Sequence, residues 1–132
     1  MTKATILLAD DDKVTLGILG AGLQQEGYRV LTAMDALQAV MVAHRHKPDA
    51  ILLDVMMPAG SGLDVLKKLK ASSATQLIPV IAMSTLQDPA LPANALAHGA
   101  KAFIPKPVDF PGLRHLLHDL LDPSKDGAPQ AP

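Results

Sequence analysis

The sequence predicts an α/β fold, a doubly wound parallel sheet in which five short strands alternate with five helices. Three observations carry that reading. Four short apolar runs, Ile6-Leu7-Leu8-Ala9, Ala50-Ile51-Leu52-Leu53, Val80-Ile81-Ala82-Met83 and Ala102-Phe103-Ile104, have the look of strands buried on both faces. Each run ends on polar residues: Asp10-Asp11-Asp12, Asp54, Ser84-Thr85 and Pro105-Lys106-Pro107. Leucines at helical spacing fill the stretches between them. Parallel strands all end on one edge, so the polar ends converge where open α/β sheets bind ligands. Two strand orders are common for such sheets, and local pattern does not choose between them.

Taken in order, the run closing at Ala9 leads into the acidic cluster, where Asp12 suits a helix N-cap. Leu16, Leu19 and Leu23 then recur at helical spacing up to Gln25-Glu26, with Gly27 as the stop. Tyr28 to Thr32, with β-favouring Tyr28, Val30 and Thr32, is the remaining strand. From Asp35 the apolar set Leu37, Val40, Met41 and Ala43 marks a second helix, ended by Lys47-Pro48. Asp54 closes the next strand and is followed by Val55-Met56-Met57 and a Pro58-Ala59-Gly60-Ser61-Gly62 turn. Leu63, Leu66 and Leu69 with Lys67-Lys68 mark a third helix, and Pro79 introduces the strand that ends at Ser84. Pro89 and Pro92 allow a fourth helix only after them, near Ala93 to His98. Phe110, Leu113, Leu116, Leu117, Leu120 and Leu121 form the apolar face of a final helix. Residues 1–121 then read as one domain. Residues 122–132, with three prolines and no large apolar side chain, read as a disordered tail or the remnant of a linker.

Composition narrows the function classes. A chain of 132 residues with 48% apolar content fits one domain with an ordinary core. A formal charge of −1, no basic patch and no helix-turn-helix leave no case for direct nucleic-acid binding. The absence of cysteine excludes disulfides and thiolate metal sites. No signal-peptide core follows Met1-Thr2-Lys3 and no apolar run approaches the ~18 residues of a membrane span, so the expected location is cytoplasmic. His44 and His46 point apart on a helix, and His115 and His118 lack acidic company, so all five histidines read as surface or packing residues.

The convergent residues suggest phosphoryl chemistry. A carboxylate attacks phosphorus poorly because two anions must meet. A hard cation such as Mg²⁺ offsets the repulsion and takes oxygen ligands. Asp54 offers the nucleophile, Asp10 and Asp11 further carboxylates, Lys106 an ammonium and Ser84 a hydroxyl.

These elements, in this order, resemble the receiver domain of bacterial two-component response regulators from about Lys3 to Leu121. The likeness rests on Ile6 through Asp12, on Leu52-Leu53-Asp54-Val55-Met56-Met57-Pro58, and on Gly62, Ser84 and Lys106-Pro107. Ser84 lies 30 residues after Asp54 and Lys106 lies 52 after it, the family's own spacing. The resemblance implies a sheet ordered 2-1-3-4-5 and a phosphoacceptor, Asp54, supplied by a histidine kinase or histidine phosphotransfer protein. It implies that Asp11 and Asp54 ligate Mg²⁺ (or Mn²⁺) directly, with Asp10 acting through water and the Met56 backbone carbonyl completing the site. Lys106 pairs with the phosphoryl group, Ser84 moves to bond it, and Phe103 changes rotamer with Ser84. The bond Lys106-Pro107 is usually cis in the family. The output is a downstream protein partner or an attached output domain, and the only catalysis is the domain's own phosphorylation and dephosphorylation.

Departures from the family pattern are Ala36 in place of a glycine, Thr85 beside the switch hydroxyl, and Pro89 and Pro92 at the fourth helix. Met56 and Leu86, both apolar, flank the expected path of a hydrolytic water and imply a long-lived acyl phosphate. Two rival readings differ in class. Asp10-Asp11-Asp12-Lys13-Val14 also resembles the nucleophile motif of haloacid-dehalogenase-type phosphatases, but none of Asp109, Asp119, Asp122 and Asp126 ends an apolar strand as their later acidic pair must. A pseudo-receiver that binds partners without taking phosphate is opposed by the complete acidic set.

Overall fold

A computed structural model describes residues 4–57, 62–85 and 87–122. The strands are β1 (Thr5–Ala9), β2 (Arg29–Ala33), β3 (Ala50–Asp54), β4 (Val80–Ser84) and β5 (Ala102–Pro105). They form one parallel sheet in the order β2-β1-β3-β4-β5. The helices are α1 (Lys13–Gln25), α2 (Ala36–His46), α3 (Gly62–Ala71), α4 (Leu91–Ala97) and α5 (Phe110–Leu121). The expected fold class and strand order are therefore both observed.

The central strands β1, β3 and β4 are buried on both faces, which is why they read as unbroken apolar runs. One face packs Leu7, Ile51, Leu53 and Ala82 against α2, α3 and α4. The other packs Ile6, Leu8, Leu52 and Ile81 against Leu19 and Leu23 of α1 and Leu113 and Leu117 of α5. Helix boundaries follow local chemistry. Asp12 and Asp35 cap α1 and α2 by accepting from the amides of Val14 and Gln38. Gly27 after α1 adopts φ +95°, where a side chain is unfavourable.

Three details differ from expectation. The fourth helix begins at Leu91, ahead of Pro92, rather than near Ala93. Proline in a first turn loses no helical hydrogen bond, so Pro92 starts α4 instead of preceding it. Tyr28 lies before β2, buried against the α1–α5 face, and the strand runs on to Ala33. In α2 the buried residues are Ala36, Ala39 and Ala43, whereas Leu37 and Met41 point to solvent. The turn expected from Pro58 to Gly62 falls, up to residue 61, outside the described residues, as do Leu86 and the expected tail beyond Asp122.

The glycines of α1 make a stability prediction. A Cβ on the exposed Gly17 meets nothing within 4 Å, whereas one on Gly22 lies 2.7 Å from the Phe110 ring. Gly17→Ala should stabilise the protein by about 0.5–1 kcal/mol, since glycine loses more backbone entropy in a helix. Gly22→Ala should destabilise it by displacing α5. Urea denaturation midpoints check both, and a loss of stability in Gly17→Ala contradicts the first.

Candidate phosphoryl-transfer site

The site is built by strand ends. Asp10 follows β1 and is fully buried, and its backbone N–H donates to the Ala33 carbonyl at 3.0 Å. Asp54 is the last residue of β3, also buried, and Val55 behind it is held by the Met83 carbonyl at 3.0 Å. Asp11 is exposed at the rim. Oxygens of Asp10, Asp11 and Asp54 all lie within 4.8 Å of one another. Lys106 follows β5 next to a cis Lys106-Pro107 bond, and its backbone N–H donates to the Ser84 carbonyl at 2.9 Å. That bond ties the ends of β4 and β5 together and starts the lysine side chain inward.

The ammonium of Lys106 bridges the acids. Its Nζ donates to Asp10 Oδ2 at 2.7 Å and to Asp54 Oδ2 at 3.1 Å. The other oxygens are also engaged: Asp10 Oδ1 accepts from the Asp12 amide at 2.9 Å, and Asp54 Oδ1 from the Met56 amide at 2.8 Å. Asp11 has no hydrogen-bond partner among the described residues, so its carboxylate is the one open to a ligand. Asp12 is turned away, accepting from Thr15 Oγ1 at 2.8 Å, and the Thr15 hydroxyl and the Val14 amide hold its carboxyl below the usual range.

Charge balance is incomplete. Burial pushes the Asp54 carboxyl up, against the downward pull of the Met56 amide and Lys106, with Asp10 adding to the rise. Burial alone would lower the Lys106 ammonium, but its bonds to Asp10 and Asp54 outweigh it and the net shift is upward. Among the described residues, Lys106 is the one cation paired with this cluster of three carboxylates, and it contacts Asp10 and Asp54. An all-oxygen donor set carrying excess negative charge fits a hard divalent cation such as Mg²⁺ and not a thiophilic metal.

Ser84, the last residue of β4, is buried, whereas Thr85 is exposed. Phe103 is half-buried and pairs with Ala82 in register, so it shares a sheet face with Ser84 and packs on the α2–α4 side. Met57 is buried and the Met56 side chain exposed beside the site. The structure thus gathers Asp10, Asp11, Asp54 and Lys106 into one cluster, with Ser84 and Met56 at its margin and Phe103 one strand away. The histidines stay outside: His44 contacts Val40 and Ser72, and His98 contacts Asn94. His115 does have acidic company, Asp119 at 3.7 Å, on an exposed helix face.

The structure adds a packing role for Gly62, which the sequence named only within a turn and a motif, and an apolar pair that sequence reading missed. Gly62 approaches so closely that a Cβ there would lie 2.2 Å from Val55 Cα, and its N–H donates to the Val55 carbonyl at 3.1 Å. Only glycine lets α3 start against the segment that carries Met56. The second is an exposed apolar pair on α1, Val14 and Ile18, next to a depression of 130 Å³ that Ile18 lines with Thr15, Lys106 and Val108. Its signal in the sequence is the i, i+4 spacing, out of phase with Leu16, Leu19 and Leu23.

A 2-1-3-4-5 sheet whose carboxyl edge gathers carboxylates around one lysine defines the class: a CheY-type signalling domain. Residues 6–118 match the response regulator receiver domain, and the chain belongs to that family. It is 42% identical over 107 residues to the response regulator PleD of Caulobacter vibrioides, covering 81% of this chain and 24% of PleD. It is 33% identical over 118 residues to PilH of Pseudomonas aeruginosa, covering 89% of this chain and 98% of PilH. Among solved structures, the receiver domain of the Pseudomonas aeruginosa sensor histidine kinase PA1611, with a magnesium ion in its active-site cleft, superposes with a TM-score of 0.84. That pair is 29% identical over 91% of this chain and 98% of the other. The chain is a two-component signal-transduction receiver, and no helix among the described residues is long and apolar enough to cross a membrane.

Proposed function

We propose that this receiver takes a phosphoryl group on Asp54 from a phosphohistidine of a histidine kinase or phosphotransfer protein. The observation that carries this reading is the Lys106 ammonium set between Asp10 and Asp54 with Asp11 left open beside them. Asp54 oxygen attacks phosphorus, the phosphorus–nitrogen bond of the donor breaks, and the imidazole leaves. Asp11 and Asp54, the Met56 carbonyl, and Asp10 through water are the groups that would hold Mg²⁺, or Mn²⁺ in its place. Bound there, the cation neutralises charge between the carboxylates and the incoming phosphoryl oxygens. Met56 N–H and Lys106 keep the Asp54 carboxylate fixed, which lowers the orientational cost of attack. The reading includes residues up to Leu121 as the receiver, a cytoplasmic setting, and no turnover beyond the domain's own phosphorylation and dephosphorylation.

The experiment is incubation with acetyl phosphate and Mg²⁺, then mass-spectrometric mapping. The expected adduct sits on Asp54 alone and is absent from Asp54→Asn. An adduct on another residue, or labelling of Asp54→Asn, overturns the assignment. The phosphatase reading is not favoured. Asp12, which would be its acid, is turned away from the cluster to cap α1, and residues 6–118 match the receiver family.

Two further expectations concern partners and the switch. The donor is expected to lie on the α1 pair Val14 and Ile18, of which Ile18 lines the depression that Lys106 also borders. Ile18→Asp should slow transfer from a phosphorylated histidine protein by about tenfold or more and leave labelling by acetyl phosphate unchanged. An equal slowing with both donors would place Ile18 in the chemistry instead. Ser84 is expected to turn toward the phosphoryl group, and Phe103 to follow into the space beside it. Amide shifts on binding beryllofluoride, a phosphoryl mimic, should then reach residues 84–106. Shifts confined to the loops around Asp54 would count against the switch.

A further inference from the structure

Asp12 is the third of three consecutive carboxylates, and it alone of the three lies outside the cluster that Asp10 and Asp11 form with Asp54. Two donors hold its side chain at the start of α1. The Val14 amide gives to Oδ1 at 3.0 Å and the Thr15 hydroxyl to Oδ2 at 2.8 Å. The Asp12 backbone belongs to the site itself. Its N–H donates to Asp10 Oδ1 at 2.9 Å, and Asp10 Oδ2 takes the Lys106 ammonium at 2.7 Å. Hydrogen bonds thus run without a gap from Thr15 to Asp12, Asp10 and Lys106. Capping by itself does not call for the hydroxyl. In α2 the cap Asp35 accepts from the backbone amide of Gln38, the third residue on, and α1 already has the Val14 amide for that purpose.

We propose that Thr15 is a positioning residue for the divalent cation, acting through Asp12 on the turn that carries Asp10 and Asp11. This rests on the reading that Asp10, Asp11 and Asp54 hold Mg²⁺. Asp11 lies between two anchored residues and has no bond of its own among the described residues, so its direction is set by theirs. With Oδ2 released, Asp12 keeps one side-chain bond in place of two, and the turn holding Asp10 Oδ1 gains freedom. Binding the cation must then remove that freedom, which costs affinity and leaves the bound geometry unchanged. Thr15→Val keeps the branched shape and deletes the donor, whereas Thr15→Ser keeps the donor.

The test is calorimetric Mg²⁺ titration of the full chain, with thermal midpoints, for the parent, Thr15→Val, Thr15→Ser and Thr75→Val. Thr15→Val should weaken Mg²⁺ binding about threefold or more, less than the loss of a direct ligand partner because it acts one bond further out. Thr15→Ser should restore the parent affinity. In labelling by acetyl phosphate, the Mg²⁺ concentration for half-maximal rate should rise by the same factor in Thr15→Val, with the rate at saturating Mg²⁺ unchanged. Thr75→Val makes the same chemical change at the far end of the sheet, where the buried Thr75 hydroxyl donates to the Leu69 carbonyl. It should lower the midpoint and leave Mg²⁺ affinity as in the parent. Parent or tighter affinity in Thr15→Val, a loss that Thr15→Ser fails to restore, or an equal loss in Thr75→Val overturns the proposal alone. A parent that binds no Mg²⁺, or binds it as well after Asp11→Asn, overturns the reading of the cation site and this proposal with it.

Discussion

Asp11→Asn should lower Mg²⁺ affinity by at least about tenfold, and with it the rate of labelling by acetyl phosphate, while Asp10→Asn has the smaller effect on affinity. The two neighbours differ in what their oxygens already do. Asp10 is buried, with one oxygen on Lys106 and the other on the Asp12 amide. A cation reaches it only by displacing a bond or through a water. Asp11 is exposed and its carboxylate has no partner among the described residues, so it gives up nothing on binding a cation. Titration followed by tryptophan fluorescence has no native reporter here, since the chain has no tryptophan, so calorimetry is the measurement. Equal affinity of the parent and Asp11→Asn, or a larger loss in Asp10→Asn, would sink the claim.

Lys106→Met should destabilise the fold at neutral pH by about 3 kcal/mol, because removing one partner of a buried ion pair strands the other. The side chain of Lys106 is 11% exposed and that of Asp10 0%, so solvent offers Asp10 little compensation. Adding Asp10→Asn to Lys106→Met should recover part of the loss, since of the two buried carboxylates that Lys106 bridges only Asp54 is then left without a cation. Asp54→Asn is expected to act in the opposite direction. Burial raises the Asp54 carboxyl above its unfolded value, so the ionised form is the less stable in the fold. Sign follows from that: the penalty is absent below the unfolded value and develops as pH rises through the folded one. At neutral pH the neutral amide should therefore raise the denaturation midpoint. Urea titrations of the four proteins check the set. A Lys106→Met variant as stable as the parent would show that the cluster is not held by that ion pair.

Most of the fold is legible in the chain because its strands are buried on both faces. Leu7 and Leu8, or Ile51 and Leu52, point to opposite sides of the sheet and both meet helices, so no polar residue interrupts the run. The start of α4 was misplaced because proline stops a helix in its interior but suits its first turn, and Pro92 occupies the first turn. The inner side of α2 was hidden for a different reason. Ala36, Ala39 and Ala43 are offset by one or two residues from Leu37 and Met41, and both sets have helical spacing. Bulk favours the wrong set; the close approach of α2 to the sheet and α3 selects the alanines.

By itself the sequence determined the parallel α/β class, the positions of five strands and five helices, and the polar residues carried at the strand ends. These are local properties: apolar runs, caps and spacing act within a few residues. The order 2-1-3-4-5 entered only through the family likeness, and the structure shows it directly. Tertiary structure alone decided which carboxylates the Lys106 ammonium joins, that Asp11 is left open, and that Gly62 lies against Val55. It also decided that α1 and α2 each turn an apolar pair to solvent. Those facts depend on how far apart strand ends and helices come to lie, and residues 96 and 52 positions from Lys106 are brought to hydrogen-bond distance only when the sheet assembles.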